Sequence, residues 1–321
     1  MKKITALLLA LLMLAGVLAG CGKQNDTNKT DKLSIVTTIF PEYDWVREIL
    51  GDKADSAEIT MLLDNGVDLH SYQPTADDLI KISDCDLFVY VGGESDDWVE
   101  GALKSAANKD RKVINLLEVL GDSVKEEETV EGMQEEEEDH GEKEYDEHVW
   151  LSLKNAKTLV GAISAALQEI DPDNKDTYAA NADAYGQKLS ALDGEYQAAV
   201  SAGTYKTLLF GDRFPFRYLV DDYGLSYYAA FAGCSAESEA SFETVSFLAG
   251  KVDEGKLPCV LTIEGTQHKI AETVVQNTAG KNQKILTMDS MQSTTSQDVA
   301  RGTTYLSLMA KNLDVLKEAL G

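Results

Sequence analysis

The amino-acid sequence predicts an α/β protein of two parallel-sheet lobes joined by a long rigid helix. From Lys32 onward, apolar runs of strand length alternate with helical patterns, which is typical of βα units built on a parallel sheet. The alternation stops between Pro172 and Ser201, where one helical pattern of roughly 29 residues would span about 43 Å. It resumes beyond Gly203, and this second series predicts the second lobe.

The first 31 residues predict a secreted and anchored protein. Lys2 and Lys3 precede an apolar run that is too short for a comfortable membrane span and ends in small residues, so residues 1–20 are predicted to be a signal peptide. The tetrapeptide LAGC resembles the bacterial lipoprotein cleavage box, which implies lipid on Cys21 and attachment to the extracytoplasmic face of the cell membrane. Residues 21–31 are polar and predict a flexible tether. A soluble secreted protein is the alternative.

Residues 32–171 form the predicted first lobe. Its strands are expected in KLSIVTTIF, AEITMLL, DLFVYVG and KVINLL, with helices between them. Residues 121–147 interrupt this lobe as an acidic loop. The stretch Asp122 to Glu147 contains 14 acidic residues and two lysines, so we expect a mobile surface loop that is accessory to any binding site.

Residues 172–201 form the predicted linking helix, and residues 202–321 form the second lobe. Strands are expected in TLLFGD, LSYYAAF, CVLTIEG and KILTMD. A helical pattern follows each of them, including FPFRYLVDDYG after the first. The final helix is expected within the last 23 residues of the chain.

Charge and motif content exclude several functions. A net charge of −26 argues against nucleic acid as a partner. The chain contains no HExxH helix, no G-x-S-x-G elbow and no P-loop.

Besides Cys21, the cysteines Cys85, Cys234 and Cys259 lie far apart without CxxC spacing, which argues against a zinc–thiolate site. Buried thiols are expected for Cys85 and Cys259, although one disulfide among the three is an alternative.

Several metal-capable side chains lie in turns that follow predicted strands or, for His148, between the acidic loop and the next predicted helix. They are His70, His148, His268, Asp212 and Asp289, whereas the remaining histidine, His140, lies within the acidic loop. Each of the five alone is more often a surface or helix-capping residue. Because ligands bind at the carboxyl ends of parallel strands, and imidazole with carboxylate suits a divalent first-row metal, their joint placement predicts a metal cleft between the lobes.

From Lys32 to Gly321 the chain resembles the metal-binding proteins of bacterial zinc and manganese ABC transporters. NGVDLHSYQPTADDLIKISDCDLFVYVG and DEHVWLSLKNA are similar to their two first-lobe metal segments. DPDNKDTYAANADAYGQKLSALD is similar to their backbone helix, and LSLMAKNLDVLKEAL to their closing helix. The resemblance implies Zn²⁺ or Mn²⁺ as transported ligand, an ABC permease and its ATPase subunit as partners, and a monomer without enzymatic activity.

Only part of the ligand set carries over. His70 and His148 match the family's first-lobe ligands, and Asp289 in LTMDS matches its fourth ligand. At the third position the family has His or Glu, but in FGDRFPFRYL the alignment falls on Gly211 or Arg213. Neither residue can ligate a metal.

Two residues are open candidates for the missing third ligand. Asp212 lies between Gly211 and Arg213, and His268 is an additional histidine that the family does not usually have. Glu264 is an expected hydrogen-bond acceptor that orients an imidazole. A zinc carrier is the favoured function. The alternatives are a manganese carrier, a surface-anchored metallohydrolase and, by analogy alone, an adhesin.

Overall fold

The computed structural model describes residues 32–134, 144–235, 239–265 and 268–321. The predicted signal peptide, the tether with Cys21, and His140 lie outside the described residues. Over the described ranges, none of the helices combines the length and the apolar character that crossing a membrane requires.

Two four-stranded parallel sheets form the framework, as the sequence predicts. The first sheet has the order β2-β1-β3-β4, and its central strand β1 pairs in parallel with β2 and β3. The second has the order β6-β5-β7-β8. The strands are β1 Ser34–Thr37, β2 Glu58–Met61, β3 Leu87–Tyr90, β4 Lys112–Asn115, β5 Thr207–Phe214, β6 Ser226–Ala232, β7 Cys259–Ile263 and β8 Lys284–Met288.

Helices connect successive strands and cover the sheets. Ser152, Ser241 and Thr304 accept hydrogen bonds from the first-turn amides of three of them, as capping residues do. The helices are α1 Phe40–Leu50, α2 Ala76–Asp84, α3 Trp98–Lys104, α4 Leu116–Leu120, α5 Leu153–Ile170, α6 Lys175–Ala202, α7 Arg217–Tyr223, α8 Phe242–Gly255, α9 Lys269–Asn277, α10 Ser296–Ala300 and α11 Tyr305–Leu320.

Strand β5 runs further than the sequence predicts. The expected strand stops at Asp212, but β5 continues to Phe214, and its pairing with β6 shifts register between Phe210 and Arg213. The expected helix over FPFRYLVDDYG consequently begins only at Arg217. Asp212 and Arg213 therefore lie within an irregular part of the strand, not in the turn after it.

The long linking helix α6 contains 28 residues and follows a 3₁₀ turn at Pro172–Asn174. It packs against α1 and α5 of the first lobe and against α11. Asn181 donates to the carbonyl of Ile49 at 3.0 Å, and the Tyr196 hydroxyl donates to the carbonyl of Met309 at 2.7 Å. The helix is thus fixed by side-chain hydrogen bonds near both of its ends.

Part of the acidic loop is packed, and the prediction of a mobile loop is wrong for that part. Met133 is buried, and the Gln134 amide donates to the carbonyl of Ala230 in β6 at 3.0 Å. Lys125 forms an ion pair with Asp221 at 2.6 Å. Residues 124–134 therefore run from the first lobe onto the second lobe as a strap. Most carboxylates of the strap are exposed, as expected, but that of Glu127 is partly buried.

The buried carboxyl of Glu42 leads to a prediction about pH. Burial, and then the charge of Asp96, raise the pKa of Glu42 from 4.5 to about 8, while its Oε2 accepts bonds from Thr38 and Ile39 at the start of α1. Because the folded state holds this proton more tightly, the free energy of unfolding should fall between pH 4.5 and about 8, by up to about 1.4 kcal/mol per pH unit for this group.

Glu42→Gln keeps an oxygen acceptor but removes the titration. We expect a flatter dependence of the free energy of unfolding on pH in this variant, measured by urea denaturation of metal-free protein. An identical slope in both proteins would show that Glu42 is not the titrating group.

Candidate metal centre

His70 is placed by a short 3₁₀ turn, Leu69–Ser71, that follows strand β2. Asp68 caps this turn, since its Oδ1 accepts the His70 amide at 3.1 Å. On the imidazole, Nδ1 lies 2.8 Å from Ser95 Oγ and 3.4 Å from Glu147 Oε2. The Ser95 hydroxyl holds the ring at Nδ1, with the carboxylate beside it, and Nε2 on the other side of the ring faces His148.

His148 is fully buried and lies directly before the 3₁₀ turn Val149–Leu151. Its Nδ1 is 3.0 Å from Asp146 Oδ1, which also accepts the His148 amide at 2.9 Å. Burial by itself would lower the pKa of His148, but Asp146, with Glu147 and Asp68, outweighs it and raises the pKa. A carboxylate bonded to Nδ1 is the usual support of a metal-binding imidazole, and it leaves Nε2 available to bind a metal.

The two free nitrogens face each other, with His70 Nε2 and His148 Nε2 3.3 Å apart. Two nitrogens bound to one tetrahedral zinc at about 2.0–2.1 Å would be separated by about 3.3 Å. When both Nδ1 atoms carry protons for their carboxylate partners, both Nε2 atoms present lone pairs. Two lone pairs at this distance repel each other, and a proton or a cation between them replaces this repulsion with attraction to both nitrogens. The geometry suits a divalent ion.

Cys234 joins the two histidines, and the sequence analysis missed it. Among the described residues, potential ligand atoms of His70, His148 and Cys234 all lie within 4.8 Å of one another. Burial, followed by the charges of Glu127, Asp146 and Glu147, raises the pKa of the Cys234 thiol well above its ordinary value. Cys234 comes two residues after β6, so its position at the carboxyl end of a strand is the signal that would have identified it. All three described cysteines are free thiols, and Cys85 and Cys259 are buried as expected.

A second layer of side chains holds the histidines. Glu147 is almost fully buried, and its Oε1 accepts the Ser95 amide at 2.9 Å. Burial opposes ionisation of Glu147, but its interactions with His70 and the hydrogen bonds from Ser95 outweigh burial and lower the pKa of Glu147. Gly93 makes room for this carboxylate, because a Cβ there would lie 2.3 Å from Glu147 Oε1. Its φ of +85° also favours glycine.

Arg213 connects the two lobes beside the histidines. Its Nη2 forms an ion pair with Asp68 Oδ2 at 2.6 Å, and its Nη1 donates to the carbonyl of Ser235 at 3.2 Å. Asp68 caps the His70 turn, whereas Ser235 follows Cys234. Arg213, one of the two residues that align with the family's third ligand, therefore joins the two segments that carry His70 and Cys234.

The three predicted second-lobe ligands are not part of this cluster of described residues. Asp212 accepts the Arg213 amide at 2.9 Å and the Ile263 amide at 3.3 Å. His268 directly precedes helix α9, and both Asp212 and His268 line an adjacent cavity of about 620 Å³. Asp289 Oδ1 accepts the Met291 amide at 2.8 Å, and burial with the nearby charge of Glu264 raises the pKa of Asp289 to about 6.

Glu264 does not bond to an imidazole, contrary to expectation. Its two oxygens accept the Ser290 amide at 2.6 Å, the Ser290 hydroxyl at 2.7 Å and the Gln292 amide at 3.2 Å. It therefore shapes the turn after β8, which contains Asp289.

Comparison of the sequence with known proteins identifies its family. Residues 35–319 match the family model ZnuA, described as zinc-uptake complex component A, periplasmic. The chain is 34% identical over 99% of its length to the zinc-binding lipoprotein AdcA of Streptococcus pneumoniae, of which it spans only 61%. It is 32% identical to the high-affinity zinc uptake system protein ZnuA of Bacillus subtilis, with 95% of this chain and 94% of that protein covered.

A solved structure shows the same architecture. The Zn(II)-bound ZnuA-like domain of Streptococcus pneumoniae AdcA superposes with a TM-score of 0.70 at 32% identity, covering 90% of this chain and 99% of that domain. The family match extends over nearly the whole described chain, including both sheets and the segments of His70, His148 and Cys234. The protein therefore belongs to the ZnuA family of zinc-uptake components.

Proposed function

We propose that this protein captures Zn²⁺ between its two lobes and delivers it to an ABC importer, made of a permease and an ATPase subunit. The observation that carries the proposal is the pair of imidazole Nε2 atoms, 3.3 Å apart and each supported through Nδ1 by a carboxylate. Relatives that share most of this chain's length are zinc-binding and zinc-uptake proteins by name. The zinc-bound relative has the same fold.

The predicted location fits this role. A lipid on Cys21 would hold the protein at the extracytoplasmic face of the membrane, close to the importer. We expect the protein to act as a monomer, as the family resemblance implies. Replacing Cys21 with alanine should shift the protein from the membrane fraction to the soluble fraction. Equal membrane association of both forms would contradict lipid anchoring.

Manganese is the alternative cargo and metal-assisted hydrolysis the alternative activity. Two imidazoles and a nearby thiol are softer donors than manganese prefers, which favours zinc. Elemental analysis of protein loaded in an equimolar mixture of Zn²⁺ and Mn²⁺ should recover zinc at about one ion per chain. Recovery of manganese in excess of zinc would overturn the assignment. Turnover of ester, peptide or phosphate substrates by the zinc-loaded protein would instead favour the hydrolase.

The second lobe contains three further proposed ligands, Asp289, Asp212 and His268. Zinc sites are usually four-coordinate, so the lobe completes the set with protein ligands or with water. Asp289→Ala is expected to lower zinc affinity strongly, and one of Asp212→Ala and His268→Ala to do the same while the other has a mild effect. Isothermal titration of each variant with Zn²⁺, alongside the unaltered protein, measures these affinities. Unchanged affinity in all three variants would remove these residues from the site.

A further inference from the structure

The family's third-ligand position is blocked in this chain. A Cβ at Gly211 would lie 2.6 Å from the Cα of Ala271 and 2.9 Å from its Cβ, so helix α9 leaves no room for a side chain there. The alternative alignment places Arg213 at this position, but its guanidinium is bonded to Asp68 and Ser235. Another residue must supply the ligand that this strand supplies in the rest of the family.

The thiol of Cys234 lies where such a ligand is needed. It belongs to the same group as the imidazole nitrogens of His70 and His148, with all ligand atoms within 4.8 Å. The neighbouring Gly233 approaches His148 so closely that a Cβ there would lie 3.1 Å from the imidazole Cε1. The backbone of this segment thus packs directly against the metal-binding ring.

The backbone around Cys234 is fixed on both sides. Its amide donates to Glu127 Oε1 of the strap at 2.9 Å, and the next carbonyl, that of Ser235, accepts from Arg213 at 3.2 Å. The strap itself is attached to β6 through Gln134 and Ala230. A side chain held in this way is positioned before the ion arrives, as a ligand should be.

We propose that Cys234 is the third protein ligand of the transported ion and binds it as a thiolate, giving a His₂Cys set with His70 and His148 that Asp289 or water completes. Cys234 then takes the place for which Asp212 and His268 compete, so in this arrangement both Asp212→Ala and His268→Ala should have a mild effect. This proposal rests on the proposed zinc-capture function. When the sulfur–metal bond forms, the S–H bond breaks and its proton passes to solvent. The oxidation states of the sulfur and the metal do not change.

A thiolate ligand also determines which ion is selected. Sulfur donors favour zinc, whereas manganese prefers carboxylate, carbonyl and water oxygens. With Cys234 in the site, this chain should discriminate against manganese more strongly than a variant in which the same position offers only an oxygen.

Spectroscopy of the unaltered protein is the first test, because it does not depend on the folding of any variant. X-ray absorption of the zinc-loaded protein should show one sulfur at about 2.3 Å together with nitrogen or oxygen at about 2.0–2.1 Å. The Co²⁺-loaded protein should show an intense near-ultraviolet thiolate-to-metal charge-transfer band. A first shell of nitrogen and oxygen alone, in protein that binds zinc tightly, would overturn the proposal and leave zinc capture intact.

Variants then assign the sulfur to one residue. Cys234→Ser should abolish the charge-transfer band, weaken zinc binding by more than about 10-fold and reduce the preference for zinc over manganese. The matched control is Cys259→Ala, which removes another free thiol, buried in β7, and should retain the band and the zinc affinity. A Cys234→Ser protein with an unaltered band and affinity would refute the assignment. Failure of the unaltered protein to bind zinc would instead refute the proposed function.

Discussion

Replacing His148 with alanine is expected to weaken zinc binding by more than about 100-fold, because even the loss of a residue that only supports a ligand typically costs roughly 10–100-fold. The imidazole is fully buried, and its Nε2 lies 3.3 Å from that of His70. His70→Ala should have a comparable effect. Competition with a chromophoric chelator of known zinc affinity measures both losses.

Two controls separate ligand loss from structural damage. Asp146→Asn keeps His148 but replaces the carboxylate bonded to its Nδ1, so we expect a smaller loss, within roughly 10–100-fold. The side chain of His70 is only 12% exposed, so His70→Ala should also lower the free energy of unfolding of metal-free protein, by up to about 3 kcal/mol, and urea denaturation measures this loss separately from zinc affinity. Wild-type zinc affinity in both histidine variants would show that the ion binds elsewhere.

Replacing Trp150 with alanine should have the largest effect on stability, lowering the free energy of unfolding by about 3–5 kcal/mol. Trp150 is fully buried two residues after His148, and its indole donates to the carbonyl of Ser290 at 2.9 Å. Its own carbonyl accepts the Tyr305 hydroxyl at 2.6 Å. The ring therefore packs between the His148 segment, the turn containing Asp289, and the final helix.

Trp150→Phe is the matched variant, because it keeps an aromatic ring but removes the donor. It should cost about 1–3 kcal/mol, since it leaves the Ser290 carbonyl without that partner. Urea denaturation of metal-free protein, in the presence of a chelator, compares the three proteins. Equal stability of the alanine and phenylalanine variants would show that the hydrogen bond, not the packing of the ring, dominates.

The sequence was informative wherever a local pattern determines structure. Alternating strand and helix patterns predicted both sheets, and the helical pattern from Pro172 predicted α6 to within a few residues. His70 and His148 were found because each lies in a recognisable motif, and the structure brings them together.

What the sequence did not reveal depends on contacts between distant segments. The register shift in β5 has no local signal, so Asp212 was placed after the strand although it lies within it. Cys234 has no CxxC spacing to mark it, because the residues it joins are 164 and 86 positions away in the chain. The strap was predicted to be mobile from its charge, but Met133 and Gln134 attach it to the second lobe.

The long helix α6 constrains how quickly the protein can exchange its cargo. It is fixed near one end through Ile49 and near the other through Met309, and α11 is bonded to α1 through Tyr305 and Asp44. Wide opening of the lobes would require these bonds to break together. We therefore expect ion entry to be limited by movements of side chains and short turns, with an association rate nearly independent of solvent viscosity. Release would then require an outside force on the site, and in the proposed function the importer would supply it and so set the direction of transport.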